Sequence, residues 1–351
     1  MKVLLTGIAG FIGSAVAAKL AAKGVEVVGI DSINDYYDAT LKYARLDSLG
    51  IKKGDAEKWS VPVKSDKWPE LTFIRIDITD NDTLATLFKE EKFDRVVHLA
   101  AQPGVRYSLS HPKAYIENNI NGFLNILEGC RHNNMPHLVY ASSSSVYGLN
   151  GKIPFSEKDA TQHPVSLYAA TKKSNEMMAH AYSHIYGLPV TGLRFFTVYG
   201  PWGRPDMSPF LFIKGILNDE PIKVFNNGDM YRDFTFVDDI AESVSRVIDL
   251  IPEGCKDWDA QNPDPSRSVA PYRIYNVGNQ NPTKLLDYIS AIEKAIGKEA
   301  KKEMLPMQPG DVYQTYADSS ALAEATGFSP STPLEQGMKV TVEWFRNYFG
   351  K

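Results

Sequence analysis

From its second residue the chain alternates short, almost wholly apolar runs with longer segments of helical periodicity. The runs are Lys2 to Thr6, Val25 to Ile30, Leu71 to Ile76, Arg95 to Ala100, His137 to Ala141 and Val190 to Phe195. Each has strand length and lacks the apolar–polar alternation of a half-exposed strand, so each suits a strand buried on both faces of a parallel sheet. Between them, Phe11 to Ala22, Thr83 to Glu91, Pro112 to Arg131 and Leu167 to Tyr186 read as helices, the first stopped near Gly24 and the last by Gly187 and Pro189. Repeated strand–helix–strand order predicts an α/β fold, a doubly wound parallel sheet with helices on both faces. The connection from Ser32 to Glu70 is too long and polar for a simple crossover and predicts a partly helical excursion.

With 351 residues, the chain has room for about two domains. The texture changes after Phe196, where Pro201, Gly203, Pro205, Pro209 and Pro221 mark a loop-rich region, and again from Pro252 to Pro271. Asp233 to Ile251 reads as a strand edge plus a helix, and Ile274 to Val277 as a short strand, both expected to rejoin the first domain. The predicted division is interleaved: residues 1–196 with about 233–251 and 274–278 form one domain, and about 197–232, 252–273 and 279–351 form a smaller C-terminal substrate domain.

A net charge of -4 gives no overall basic field, which argues against a nucleic-acid partner. No long apolar run predicts a membrane span. Cys130 and Cys255 lie far apart without a CxxC partner, so a disulfide framework and structural zinc are not expected. The apolar N-terminal run is interrupted by Thr6, Gly7, Gly10, Gly13 and Ser14, which fits a working site better than a secretory signal, and the expected location is cytoplasmic.

The chemistry begins where the first strand runs into Gly7-Ile8-Ala9-Gly10-Phe11-Ile12-Gly13. Glycines at a strand-to-helix turn let the backbone approach a pyrophosphate, which then lies on the positive helix end. Asp31 closes the second strand about 20 residues on, where a carboxylate accepts hydrogen bonds from a ribose and repels a 2′-phosphate, favouring NAD over NADP. Asp77, followed by Ile78, ends the third strand and either faces the adenine or caps a helix. Further on, Ser142 to Ser145 end another strand, whose carboxyl end borders the ligand crevice in such sheets. Tyr168 and Lys172 follow at i, i+4 spacing on one helix face. A lysine cation beside the phenol, with a positive nicotinamide nearby, is expected to pull the phenol below its ordinary value and make it a base. His180 and His184, with Glu176 one turn earlier, imitate a metal-binding face, but no third ligand follows at a suitable spacing and no metal is expected. Tyr36-Tyr37 reads as packing or as a lid near the cofactor, and the mixed charges from Lys298 to Glu303 as a solvated helix face.

The succession TGIAGFIG, Asp31, HLAAQ (His98 to Gln102), SSSSVYG, Tyr168-Ala-Ala-Thr-Lys172 and LRFFTVYGPWGRPD (Leu193 to Asp206) resembles the extended short-chain dehydrogenase/reductase family, nucleotide-sugar epimerase branch. The likeness covers nearly the whole chain and implies a Rossmann sheet. The pairing of AAQPGVRYS (Ala100 to Ser108) with RFFTVYGPWGRPD is similar to that of UDP-glucuronate 4-epimerases, which interconvert UDP-glucuronate and UDP-galacturonate through a 4-keto intermediate, using bound NAD.

That resemblance implies roles for individual positions. Tyr168 is the base, Ser143 bonds the sugar 4-hydroxyl, and Lys172 holds the nicotinamide ribose. Gly7, Gly10, Phe11, Ile12, Gly13, Asp31, Asp77, Ile78, Ala100 and Asn119 contact the cofactor. Ser144, Ser145, Thr197, Arg204, Arg232, Asp311 and, as an outside candidate, Arg106 contact the substrate. Arg204 and Thr197 would hold the sugar carboxylate; pairing of Arg204 with Asp206 is the alternative. Thr197 stands where hexose epimerases carry asparagine, and Gln308 where they carry arginine before PGD. The first fits uronate-specific relatives. Dehydratases carry an Asp-Glu pair at Ser144 and Ser145, and UDP-glucuronate decarboxylases a glutamate at Ser145, so neither chemistry has an evident proton donor here. A homodimer through a four-helix interface built from 112–131 and 167–186 is also implied. Competing readings are a 4-epimerase of a neutral or N-acetylated UDP-hexose, or a non-catalytic NAD-binding regulator on the same fold.

Overall fold

The computed structural model describes residues 1–307 and 313–351. The described strands, in chain order, are β1 (Lys2–Thr6), β2 (Glu26–Asp31), β3 (Val63–Lys64), β4 (Leu71–Arg75), β5 (Arg95–His98), β6 (Leu138–Ser143), β7 (Val190–Phe195), β8 (Thr197–Tyr199), β9 (Ile222–Phe225), β10 (Tyr231–Phe236), β11 (Tyr272–Val277), β12 (Pro282–Lys284), β13 (Lys302–Leu305) and β14 (Gln314–Thr315). Eight of them form one sheet in the order β11-β7-β6-β5-β1-β2-β4-β3. All neighbours are parallel except β3, which runs antiparallel to β4. The chain winds outward from β1 to β4, crosses back to β5 and winds the other way, so the switch point falls between β1 and β5, where such sheets open a ligand crevice at their carboxyl ends.

The apolar runs are apolar because they have no solvent face. Val3, Leu4 and Leu5 of β1 are fully buried, with Val3 and Leu5 in one core and Leu4 in the other. Helices Phe11–Ala22 and Val237–Val247 cover the first face. Asn81–Glu91, Phe123–His132 and Leu167–Tyr186 cover the second. Asp80 caps Asn81–Glu91 by accepting from the Thr83 N–H at 3.1 Å, and Gly187 ends Leu167–Tyr186 with φ of 67°. The segment expected as one helix from Pro112 to Arg131 is helical but divided: Ile116–Gly122 widens into a π-helix between Pro112–Tyr115 and Phe123–His132. The excursion after Asp31 carries helices Thr40–Ser48 and Lys53–Ala56 before β3.

Beyond Phe196 a smaller sheet forms in the order β12-β10-β14, with β8 also paired to β10. Strand β10 stays with this sheet, while the helix that follows it, Val237–Val247, returns to the face of the large one. Tyr199, Phe210, Phe234, Tyr288, Met338 and Phe345 build a separate core here. Among the described residues, no helix is long and apolar enough to cross a membrane.

Candidate active site

The glycine turn is closed on itself. The Gly10 N–H donates to the Gly7 carbonyl at 2.9 Å, and a Cβ on Gly13 would stand 2.0 Å from that oxygen. Gly7 has φ of +78° and lies against the Ala100 backbone, where a Cβ would meet nitrogen at 2.8 Å. A side chain is therefore excluded at both positions. Helix Phe11–Ala22 then starts with no side-chain cap and no acidic residue in its first turn, which leaves its first N–H groups for an anion. Asp31 lies beside it, accepting from the Ala9 N–H at 3.1 Å and the Ile33 N–H at 2.8 Å. Asp77 lies two residues beyond β4 and accepts from the Thr79 N–H and hydroxyl at 2.8 and 2.7 Å. Ile78 is buried, and Phe11, Ile12 and Ala100 border the turn. The cradle, the uncapped helix and the strand-end carboxylate fit a dinucleotide.

Across the switch point, Thr6 accepts from the Ala100 N–H at 3.1 Å and bonds the His98 Nδ1 at 2.8 Å. Burial, reinforced by the Lys172 charge, lowers His98 to about 3, so the imidazole is neutral. The π-helical turn directs Asn119 inward. Its side chain accepts from the Gln102 N–H at 2.7 Å and donates to the Gln102 carbonyl and the Thr171 hydroxyl, both at 3.1 Å.

Helix Leu167–Tyr186 is capped by Ser166, which accepts from the Ala169 N–H at 3.1 Å. It carries Tyr168, half-buried, and Lys172, buried. The Lys172 ammonium donates to the Ala141 carbonyl at 3.0 Å, and burial lowers it to about 8. The depression expected of the Tyr168 phenol counts a nicotinamide cation as well as Lys172; within the protein alone the balance on the phenol differs. Burial raises it above its ordinary value, while a hydrogen bond with Ser143 and the Arg204 charge act in the opposite direction. Ser143 ends β6; its hydroxyl donates to Ser145 Oγ at 3.1 Å, and Ser144–Tyr147 forms a 3-10 turn.

The substrate-side candidates come from the second unit and its junction. Thr197 opens β8 beside β10. Arg204 is held by Asp206, with Nε to Oδ1 at 3.0 Å and Nη2 to Oδ2 at 2.6 Å. Arg106 lies over the Phe225 ring at 5.3 Å, and Arg232 on β10 donates to the Tyr231 and Tyr313 carbonyls at 2.8 and 3.1 Å. Asp311 and Gln308 lie outside the described residues.

Several contacts escaped the sequence reading. Glu176, one turn beyond Lys172, does not join the histidines. It accepts from the Ser142 hydroxyl at 2.7 Å and from both Nε and Nη2 of buried Arg194 at 2.8 and 2.9 Å. Arg194 also donates to the Tyr147 hydroxyl at 3.0 Å, which donates to Asn276 Oδ1 at 2.7 Å. His180 turns instead to the Ser268 hydroxyl at 3.0 Å, and among the described residues no group of three or more metal-ligating side chains gathers anywhere. Arg45, fully buried in the excursion, donates from Nη1 to the Ala9 carbonyl at 3.0 Å and from Nη2 to the Trp202 carbonyl at 2.7 Å, linking the glycine turn to the Arg204 loop. Tyr36 bonds Asp206 Oδ2 through its hydroxyl at 2.9 Å and packs its ring on Tyr107 at 4.7 Å. A bare arginine or tyrosine in a polar stretch gives no local sign of such distant partners.

A Rossmann sheet whose switch-point glycine turn faces a Ser–Tyr–Lys group defines a dehydrogenase-type, dinucleotide-binding protein. Residues 3–278 match the family model described as the NAD dependent epimerase/dehydratase family, and the chain belongs to that family. It is 50% identical over 351 residues to the protein CapI of Staphylococcus aureus, covering 100% of both chains. It is 44% identical over 357 residues to UDP-glucuronate 4-epimerase 4 of Arabidopsis thaliana, covering 99% of this chain and 76% of that relative. Among solved structures, the UDP-glucuronic acid 4-epimerase of Bacillus cereus in complex with UDP-glucuronic acid and NAD matches with a TM-score of 0.84 at 34% identity, over 99% of this chain and 100% of that one.

Proposed function

We propose that this protein is a UDP-glucuronate 4-epimerase that interconverts UDP-glucuronate and UDP-galacturonate with NAD as its resident cofactor. The observation that carries the reading is the placement of Tyr168 and Lys172 one turn apart on a helix tied to β6 by the Lys172–Ala141 bond at 3.0 Å, with Ser143 at the carboxyl end of that strand. The phenol takes the proton of the sugar 4-hydroxyl, directly or through Ser143, and returns a proton to the 4-oxygen once the 4-keto sugar has turned about its diphosphate and presents its opposite face for reduction. NAD, when bound, supplies the hydride acceptor at C4 and the donor of the same hydride back. Lys172 is assigned to the nicotinamide ribose and Asp31 to the adenosine ribose. Gly7, Gly10 and Gly13 are assigned to the pyrophosphate, and Phe11, Ile12, Asp77, Ile78, Ala100 and Asn119 to the remaining cofactor contacts. Arg204 and Thr197, with Ser144 and Ser145 beside them, are assigned to the sugar carboxylate, and Arg232 to the diphosphate. Arg106 remains an outside candidate for the carboxylate, and Asp311 is assigned to the uridine ribose.

On this reading the large sheet with helix Val237–Val247 and β11 is the NAD-binding unit, and the smaller sheet with its own core is the UDP-sugar unit. We assign two copies to a homodimer through helices of 112–131 and 167–186. Support comes from Ile116, Leu124, Met177 and Ile185, large apolar side chains exposed on those segments. A cytoplasmic location fits the nucleotide ligands and the two free cysteines.

The direct test is incubation of purified protein with UDP-glucuronate, without and with added NAD, followed by NMR. UDP-galacturonate is the expected product, and its absence in both samples would overturn the assignment. Gly13→Ala tests the cofactor seat. The added methyl collides with the Gly7 carbonyl, so the variant should lose about 1–3 kcal/mol of stability and retain less NAD after purification. Normal NAD content would remove the turn from the assignment.

A further inference from the structure

The contacts around Arg204 carry the argument beyond naming a carboxylate-binding residue. A guanidinium has two edges able to grip a carboxylate with paired N–H groups: one formed by Nε and one Nη, the other by the two terminal Nη nitrogens. Asp206 occupies the first, at 3.0 and 2.6 Å. The Arg204 side chain is 20% exposed, and no hydrogen bond to its Nη1 is made within the described residues. Asp206 is itself fixed from behind by the Tyr36 hydroxyl at 2.9 Å, and the Tyr36 ring is fixed against Tyr107. Burial alone would raise the Asp206 carboxyl, but the bonded guanidinium outweighs it and keeps the group ionised. Two residues before Arg204, the Trp202 carbonyl is held by Arg45 at 2.7 Å. The loop bearing Arg204 is thus held at both ends by the excursion that follows the cofactor-side Asp31.

We propose that Asp206 and Tyr36 are positioning residues that orient the terminal edge of Arg204 toward the C6 carboxylate of the sugar, and so determine selectivity for an acidic over a neutral UDP-sugar. This rests on the function proposed above. It also bears on fidelity. Once C4 is a ketone, the uronate is a β-keto acid. If the C5–C6 bond aligns with the carbonyl, that bond breaks, carbon dioxide leaves, and its electron pair enters the carbonyl as an enolate that takes a proton at C5. An oriented guanidinium on the carboxylate holds that bond out of alignment and stabilises the ground-state anion.

The test uses the NAD-loaded protein and two near-isosteric variants, Asp206→Asn and Tyr36→Phe. Dissociation constants for UDP-glucuronate and UDP-glucose are measured by calorimetry, and carbon dioxide released per UDP-galacturonate formed is measured in turnover. For Asp206→Asn the expected result is roughly tenfold weaker binding of UDP-glucuronate, unchanged binding of UDP-glucose, and a carbon dioxide ratio raised by about the same factor. Tyr36→Phe should move both readouts in the same direction by a smaller factor, roughly threefold. Equal weakening of both ligands, or no change in either, would overturn the proposal, since a merely structural role does not distinguish the carboxylate. If wild-type protein fails to epimerise UDP-glucuronate, the enzymatic reading falls; the binding comparison still decides the roles of Asp206 and Tyr36.

Discussion

Replacement of Tyr168 by phenylalanine should lower kcat for UDP-glucuronate epimerisation by about a thousandfold while leaving NAD content unchanged. The substitution removes one hydroxyl and keeps the ring, whose edge packs on Tyr115 with centroids 6.1 Å apart. What disappears is the proton acceptor. Ser143 cannot replace it, because a serine hydroxyl next to Ser145 Oγ can relay a proton but has no base behind it once the phenol is gone. With the phenol raised above its ordinary value before ligands bind, wild-type activity should climb with pH, and NAD should shift that rise to lower pH by adding positive charge nearby. Single-turnover oxidation at C4 and retained NAD, measured together, separate chemistry from binding. Full activity in the phenylalanine variant would remove Tyr168 as the base.

The second large effect is on stability. Glu176→Gln keeps the size of the side chain but leaves the Arg194 guanidinium, itself fully buried, without its counter-charge. Breaking such a pair from one side costs about 3–5 kcal/mol, so the midpoint of chemical denaturation should fall sharply. Replacing both partners, as in Glu176→Leu with Arg194→Met, should recover much of the loss, because no uncompensated charge then remains. Burial would raise the Glu176 carboxyl, but Arg194 outweighs it and holds the folded-state value at about 2, against 4.5 for an ordinary glutamate. The stabilisation is therefore present above pH 4.5 and is lost as pH falls from there toward 2. The glutamine variant should lack that part of the acid transition. A single variant as stable as wild type would show that the pair contributes little, and Ser142, bonded to the same carboxylate, would then be the tie between helix and strand.

The parts of this protein legible in the sequence are those written in short-range spacing. The buried strands announce themselves because both faces are covered, the glycine turn because only a missing side chain permits its close approach, and Tyr168 and Lys172 because i, i+4 is one helix face. Contacts that depend on distant partners were not legible. Glu176 reads only as part of a face that imitates a metal site, yet two of its partners, Ser142 and Arg194, lie on two neighbouring strands and a third, Lys173, on its own helix. Arg45 and Tyr36 sat in a polar excursion with no periodicity to distinguish them. The π-helical turn at Asn119 was hidden for a related reason: Asn118, Asn119, Asn121 and Gly122 are weak helix formers, which does not distinguish a widened turn from a weak one, and the widening accompanies bonds to Gln102 and Thr171. The expected depression of the Tyr168 phenol counts the charges of Lys172 and of a nicotinamide and leaves out burial, which opposes them.

The anchoring of the 202–206 loop by Arg45 and Tyr36 has a bearing on how sugar preference is exchanged among relatives. A transplant of residues 197–206 into a hexose-specific scaffold would carry the guanidinium and Asp206 but not Tyr36 and Arg45, which lie more than a hundred residues upstream. Successful conversion should require both pieces, moved as a set.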